Sequence, residues 1–257
     1  MQMKLITLIL VIICYSVTYS QNIKKMRPTL GVLVDKSMQG ELAYLKQIEE
    51  CEKFWEKHRH SIDETKFTKS EIEIYEKCAA DFPDYWDVLG IGCSWYCGGG
   101  LDTNTSSSDL KSTKEISYIA SNIHDLNYKT AWVEGVPGYG IGEYVEYHFP
   151  PENPRITQIT IVNGYVKSEQ TWKDNSRVKK LKMYIDGKPF AILNLEDTRK
   201  EQIFQFEPIG NADRHDFEQL KNKPWWTMKF EILEVYKGDK FDDTAITEIY
   251  FDGIDVH

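Results

Sequence analysis

Three stretches combine aromatic rings with hydrogen-bonding side chains beside glycine, a mixture suited to saccharide recognition. Asn163-Gly164-Tyr165 leads into a polar run that carries Trp172 and ends at Asn175 and Arg177. Trp132 is followed by Glu134, with Tyr139 inside a glycine-rich segment from Gly135 to Gly142. Trp225 and Trp226 follow Pro224 at the start of an alternating segment. Sugars present apolar C–H faces that stack on rings, and hydroxyls that a few polar groups fix in place. The candidate ligand residues are therefore Tyr165, Trp172, Asn175 and Arg177, with Glu134 and Tyr139 second. Each ring has a competing role in packing its own loop, and for Trp172 the two readings weigh equally. Trp226 shares the parity of Met228 and Phe230, so alternation turns it inward and leaves Trp225 exposed.

Catalytic chemistry has less support. The six histidines at 58, 60, 124, 148, 215 and 257 lie in no recognisable catalytic motif. No Gly-x-Ser-x-Gly, His-Glu-x-x-His or phosphate-binding loop occurs. The pairs Asp242-Asp243 and Glu49-Glu50 read as solvated turns and helix faces rather than the two carboxylates of a glycoside hydrolase. The glycine-rich segment is not followed by a helix and does not fit a dinucleotide fingerprint, so no organic cofactor is expected.

Four cysteines lie beyond the N-terminal apolar run: Cys51, Cys78, Cys93 and Cys97. An even number in an exported chain implies two disulfides, with three pairings open. A zinc site is the weaker reading, because Cys93 and Cys97 are separated by three residues and the others are isolated.

These groups have to be positioned by two kinds of element. Leu42, Leu45, Ile48, Cys51 and Trp55 recur at helical spacing. Thr68 and Glu71 form a capping-box pair opening a second helix, whose apolar face continues through Tyr75, Cys78 and Phe82. A hairpin of these helices stapled by Cys51–Cys78 leaves Cys93 to pair with Cys97. This predicts a helical, cysteine-containing module over residues 21–97. A Gly-, Ser- and Thr-rich stretch over 98–114 reads as a flexible linker. From about 115 to 257 the period becomes two: Val145, Tyr147 and Phe149, then Leu181, Met183 and Ile185, then Met228, Phe230 and Ile232. Short alternating strands with a tight Asp186-Gly187 turn predict an antiparallel β-sandwich, so the chain is mainly β.

The chain opens with Lys4 and an apolar run to Cys14, then small residues at Thr18 and Ser20. This predicts a signal peptide over 1–20 and a secreted or periplasmic product, since the run is about half a membrane span. The formal net charge is −9 with no basic stripe, which argues against nucleic acid and anionic membranes as partners.

Asp125-Leu126-Asn127-Tyr128-Lys129-Thr130-Ala131-Trp132 resembles the early loop of discoidin domains, also called coagulation-factor type C domains. Ala245-Ile246-Thr247-Glu248-Ile249 resembles their closing strand. A closer similarity is to the translocation, or glycan-binding, subfamily found in a secreted NAD glycohydrolase and in stand-alone proteins. It rests on Thr130 to Gly135, Gly138 to Glu143, Asn163 to Tyr165, Asn175 to Lys179, and Tyr236-Lys237-Gly238 running into Asp242 to Ala245. Together these cover about Tyr118 to Gly253. The resemblance implies a galactose-binding-like jelly roll and a glycan or glycoconjugate ligand. It also implies a core role for Trp132. The toxin continues into a catalytic domain whereas this chain stops at His257, so NAD hydrolysis is not implied. It further implies a structural calcium ion on the end loops, with carboxylates from Asp125 and Glu248 and further oxygens from Asn127 and Thr130. A non-catalytic glycan-binding module leads. Adhesion to a surface protein or envelope assembly follows, and a hydrolase comes third.

Overall fold

Alternation of apolar residues decides the architecture, because a strand that buries every second side chain needs a second sheet to cover it. The computed structural model describes residues 23–59, 64–79, 83–90, 92–101 and 103–256. The expected signal peptide lies outside the described residues, as does Phe82. The described residues hold eleven strands: β1 Lys24–Met26, β2 Thr29–Leu33, β3 Thr103–Ser106, β4 Trp132–Val133, β5 Tyr144–Phe149, β6 Arg155–Asn163, β7 Ser176–Ile185, β8 Lys188–Asn194, β9 Lys200–Ile209, β10 Trp226–Tyr236 and β11 Thr244–Ile254. One face of the sandwich runs β2-β9-β6-β11, with β4 on β11. The other runs β8-β7-β10-β5-β3. A short parallel pairing of Thr244 and Ala245 with Ser176 and Arg177 joins them at one end. The core lies between the faces: Ile159, Phe204 and Phe251 from one meet Tyr147, Leu181 and Phe230 from the other. Tyr147 and Phe149 each sit with ring centroids 5.2 Å from Phe251.

The helices are α1 Met38–His58, α2 Lys69–Cys78, and two short turns of helix, α3 Glu169–Asp174 and α4 Phe217–Leu220. Ser37 caps α1, its hydroxyl accepting from the Gly40 amide, and the Thr68–Glu71 capping box opens α2. Cys51 is bonded to Cys78, so the long helices form a stapled hairpin, but of the expected α1 face Cys51 is buried, Ile48 and Trp55 are half-buried, and Leu42 and Leu45 are exposed.

Three expectations need correction. The helical module does not fill 21–97. Residues 24–33 form β1 and β2, which add to the exposed edges of β8 and β9. An unpaired sheet edge offers amides and carbonyls to any extended segment nearby, and Met26 is pulled into the core, so tertiary pairing outweighs local signal. At its other end, Trp95 is wholly buried with its indole N–H donating to the Pro154 carbonyl at 3.0 Å, so this turn belongs to the sandwich. The 98–114 stretch is likewise not a free linker. Thr103–Ser106 pairs with β5, and the Ser108 carbonyl and the Asp109 carboxylate accept from the Trp132 indole. Polar composition does not prevent an edge strand, since its backbone carries the pairing. Cys93 and Cys97 are not joined by a disulfide. Both are exposed thiols in a tight turn, where the Ser94 amide donates to Cys97 Sγ at 3.3 Å. Hydrogen bonding between the two thiols pushes Cys93 up and holds Cys97 down.

Candidate functional site: a cleft at one pole of the sandwich

The end of β6 turns sharply at Gly164, which has φ +80°. A Cβ there would meet Trp172 and Arg177 at 2.6 Å, so only glycine fits. Asn163 clamps this turn, its side chain donating to the Val178 carbonyl and accepting the Val178 amide. Ser168 then caps α3, returning the chain to β7. The geometry places Tyr165 inward, 6% exposed, with its hydroxyl donating to the Lys129 carbonyl at 3.2 Å.

Beside this turn lies a cleft of about 360 Å³. Tyr118, Tyr165 and Phe241 contribute rings; Leu110, Ile116 and Val133 add aliphatic wall. Lys167, Ser168, Asn175 and Asp243 set polar groups around it. Phe241 is 41% exposed, so part of its ring faces solvent. Burial, then the charge of Asp242, pushes the Asp243 carboxyl upward.

Only two of the six candidate ligand residues, Tyr165 and Asn175, line this cleft. The other four are framework. Arg177 is 7% exposed; Nε and Nη2 donate to Asp197 at 3.0 Å and Nη1 to the carbonyls of Asn175 and Lys237. Its guanidinium lies 4.5 Å over the Trp172 ring, whose N–H donates to the Asn163 carbonyl. Glu134 is fully buried, and each carboxylate oxygen accepts a backbone amide, from Thr244 and Val136. Gly140 packs directly on Glu134, so the glycine segment approaches its own scaffold. The Tyr139 ring lies under Lys237 Nζ at 5.0 Å and its carbonyl accepts from Thr244. Buried polar groups must be paired, and in Arg177 and Glu134 the backbone pairs them. Arg177→Ala should therefore lower stability by about 1–3 kcal/mol, a drop of roughly 2–12 °C in melting temperature, through loss of the buried guanidinium's packing on Trp172 and of its bonds to Asp197 and two carbonyls. A melting curve unchanged within error refutes the framework role. Sequence reasoning missed Phe241 and Tyr118. The signal for Phe241 was a lone apolar residue in the charged turn from Asp239 to Asp243.

On the flank of the same pole, the Asp125–Thr130 loop packs against β11. Thr130 Oγ1 donates to the Asp125 carboxylate at 2.7 Å, and the Asn127 amide donates to Glu248 Oε1 at 2.8 Å. The Asn127 side chain turns back to accept the Lys129 amide. Glu248 is fully buried, and its Oε2 has no hydrogen-bond partner among the described residues. Burial foremost, with the nearby Asp125 charge adding to it, pushes the Glu248 carboxyl well above its ordinary range. Asp125 is also raised, chiefly by burial. Among the described residues no three His, Cys, Asp or Glu side chains converge, so this corner has two carboxylates and must draw other oxygens from hydroxyl, amide or backbone. An orphaned buried carboxylate oxygen beside a second raised carboxyl is a donor set that suits a hard cation.

Trp132 and Trp226 take their expected core positions, and Trp225 stays 51% exposed. His124 is tied through Nδ1 to the Ile249 carbonyl at 2.7 Å, and burial pulls it down to about 4, so it stays neutral.

Solved structures with a similar arrangement include the CBM32-1 and CBM32-2 domains of Clostridium perfringens ZmpB in complex with GalNAc. They are 13% identical with a TM-score of 0.42, over 60% of this chain and 33% of that one. CpGH89CBM32-5 of the same organism, in complex with GalNAc-β-1,3-galactose, is 13% identical with a TM-score of 0.41, over 59% of this chain and 94% of that one. The family 32 module of C. perfringens NanJ, in complex with galactose, is 14% identical with a TM-score of 0.39, over 58% and 91%. This chain thus spans a third of the ZmpB chain. No curated protein matches the sequence. The family described as NAD glycohydrolase translocation F5/8 type C domain matches residues 95–252. That match starts at the buried Trp95 turn and covers more than half of the chain, which belongs to this family.

Proposed function

We propose that the protein is an exported, non-catalytic glycan-binding module whose ligand occupies the Tyr118–Tyr165–Phe241 cleft. The observation that carries this is the composition of the cleft: the exposed Phe241 and half-buried Tyr118 rings, backed by the buried Tyr165, and an aliphatic wall with Lys167, Asn175 and Asp243 at hand. Rings supply C–H stacking and the polar groups take hydroxyls. Asp243 is the only carboxylate residue on the lining, and Glu134 has both oxygens engaged by amides, which disfavours a two-carboxylate hydrolysis. The Cys51–Cys78 disulfide supports an oxidising compartment, consistent with the apolar run after Lys4. No helix among the described residues is long and apolar enough to cross a membrane. Asp125 and Glu248 would hold a calcium ion with Asn127 and Thr130 nearby. The ion would supply charge neutralisation at a buried corner, not chemistry on a ligand.

The protein-partner reading keeps one supporting feature: Leu42 and Leu45 stand 66% and 52% exposed on α1. A glycan array probed with the purified mature chain tests the two. Retention of a restricted glycan set, lost in Phe241→Ala, supports the cleft; no retention across a broad array overturns it in favour of a protein partner.

A further inference from the structure

A second concavity lies at the other end of the sandwich. Asn175, Phe241 and Asp243 of the first cleft sit before the start of β7 and after the end of β10. The second is lined by residues at the end of β7 and the start of β10. Ten residues of β7 separate the poles, about 33 Å at roughly 3.3 Å per residue.

This groove has a volume of about 290 Å³, near the lower end of the range for small-ligand pockets, roughly 300–1,000 Å³. Trp225 and Trp226 form one side, Ile185 and Ile209 the apolar floor, and Asp186 and Asn211 the polar positions. Three observations point to a ligand. Trp225 leaves half its surface in solvent although it follows a rigid proline and precedes a paired strand, so exposing it is not the result of a loose tail. Trp226 is 7% exposed and stacked on Phe149 at 4.3 Å, yet its indole N–H has no partner among the described residues. Asp186 is held in place by its backbone pairing with Thr227 and by Oδ1 accepting the Thr227 amide at 2.9 Å, which leaves Oδ2 for an incoming hydroxyl. Asn211 donates to the Pro151 carbonyl, so its amide is also positioned.

The lining carries no cation, and the chain's net charge is −9, so phosphates, nucleic acid and anionic lipid headgroups are disfavoured. A neutral ligand with an apolar face and hydroxyl donors fits a Trp platform beside a carboxylate and an amide. We propose that this groove is a second saccharide subsite, taking a single neutral sugar ring against Trp225, and that the molecule bridges glycan strands from opposite poles. The site shares its ligand class with the proposed function but none of its residues with the first cleft.

The test follows the indole N–H signals of the intact mature protein by 1H–15N NMR during titration with galactose, N-acetylgalactosamine, glucose and N-acetylglucosamine. At least one sugar should shift the Trp225 and Trp226 signals saturably, equally in wild type and Phe241→Ala. In Trp225→Ala, with an unchanged melting curve, the Trp226 shift should weaken at least tenfold in apparent affinity. No shift with any of the four sugars, or a shift that disappears in Phe241→Ala, overturns the second site. A Trp225 shift that persists while no sugar perturbs cleft residues leaves the second site standing and refutes the cleft reading instead. Binding of peptides but not sugars at Trp225 also overturns the proposal.

Discussion

Saturating calcium is expected to raise the melting temperature of the mature protein by roughly 5–10 °C at neutral pH, and by little below about pH 5. The size follows from linkage: a ligand at a hundred times its dissociation constant adds about 2.7 kcal/mol, and a chain of this length gains roughly 2–4 °C per kcal/mol. The pH dependence follows from Glu248, whose carboxyl is pushed up by burial and by Asp125. Without metal, a raised carboxyl stabilises the fold fully below its unfolded value and loses that stabilisation as pH rises through the folded value. Asp125 is raised in the same direction. The metal-free protein therefore weakens as pH rises above the ordinary carboxylate range, and calcium, which needs both carboxylates ionised, restores stability there. Glu248→Gln keeps the shape and removes the charge, so its melting curve should be insensitive to calcium and should lose part of the pH dependence, the remainder coming from Asp125 and the other raised carboxyls. Differential scanning calorimetry with EDTA or calcium at pH 5 and pH 7.5 reads all four conditions. Equal melting temperatures in EDTA and calcium at pH 7.5 refute the ion.

Phe241→Ala should reduce affinity for an array-positive glycan at least tenfold, the equivalent of 1.4 kcal/mol, while shifting the melting temperature little. Its ring is 41% exposed and sits in a turn, so truncation removes a stacking surface without opening the core. Lys167→Ala should weaken binding less, because the ring supplies area and the ammonium only a rim contact. Chelation should also weaken binding, since the Tyr165 hydroxyl in the cleft donates to the Lys129 carbonyl of the Asp125–Thr130 loop. A metal that orders this loop fixes Tyr165. Surface plasmon resonance on the immobilised glycan separates the effects. Loss of stability equal to the loss of affinity in Phe241→Ala identifies the ring as structural, and an affinity unaffected by EDTA removes the link between the loop and the cleft.

Much of the architecture was legible from the order of residues. Period-two alternation in Val145–Phe149, Leu181–Ile185 and Met228–Ile232 determines which side chains are buried once a sheet forms, and all these strands are present. Helical spacing in α1 and the Thr68–Glu71 box likewise act within a few residues, so the stapled hairpin was readable locally. The Asp125 and Glu248 corner was legible only through the resemblance of two distant segments. What the tertiary structure alone decided were the long-range partners. Residues 24–33 carry no strong strand signal but complete the free edges of β8 and β9. Arg177 and Trp172 have the chemistry of a binding site, yet the chain brings Asp197 and the Asn175 and Lys237 carbonyls to Arg177, and those contacts consume its donors. Tyr118 and Phe241, 123 positions apart in the sequence, come together at the cleft only because the 107–119 segment and the β10–β11 turn meet at one pole. A side chain's type sets what it can bind. Whether it is free to bind depends on which buried backbone groups need it, and that is known only once the strands have chosen their neighbours.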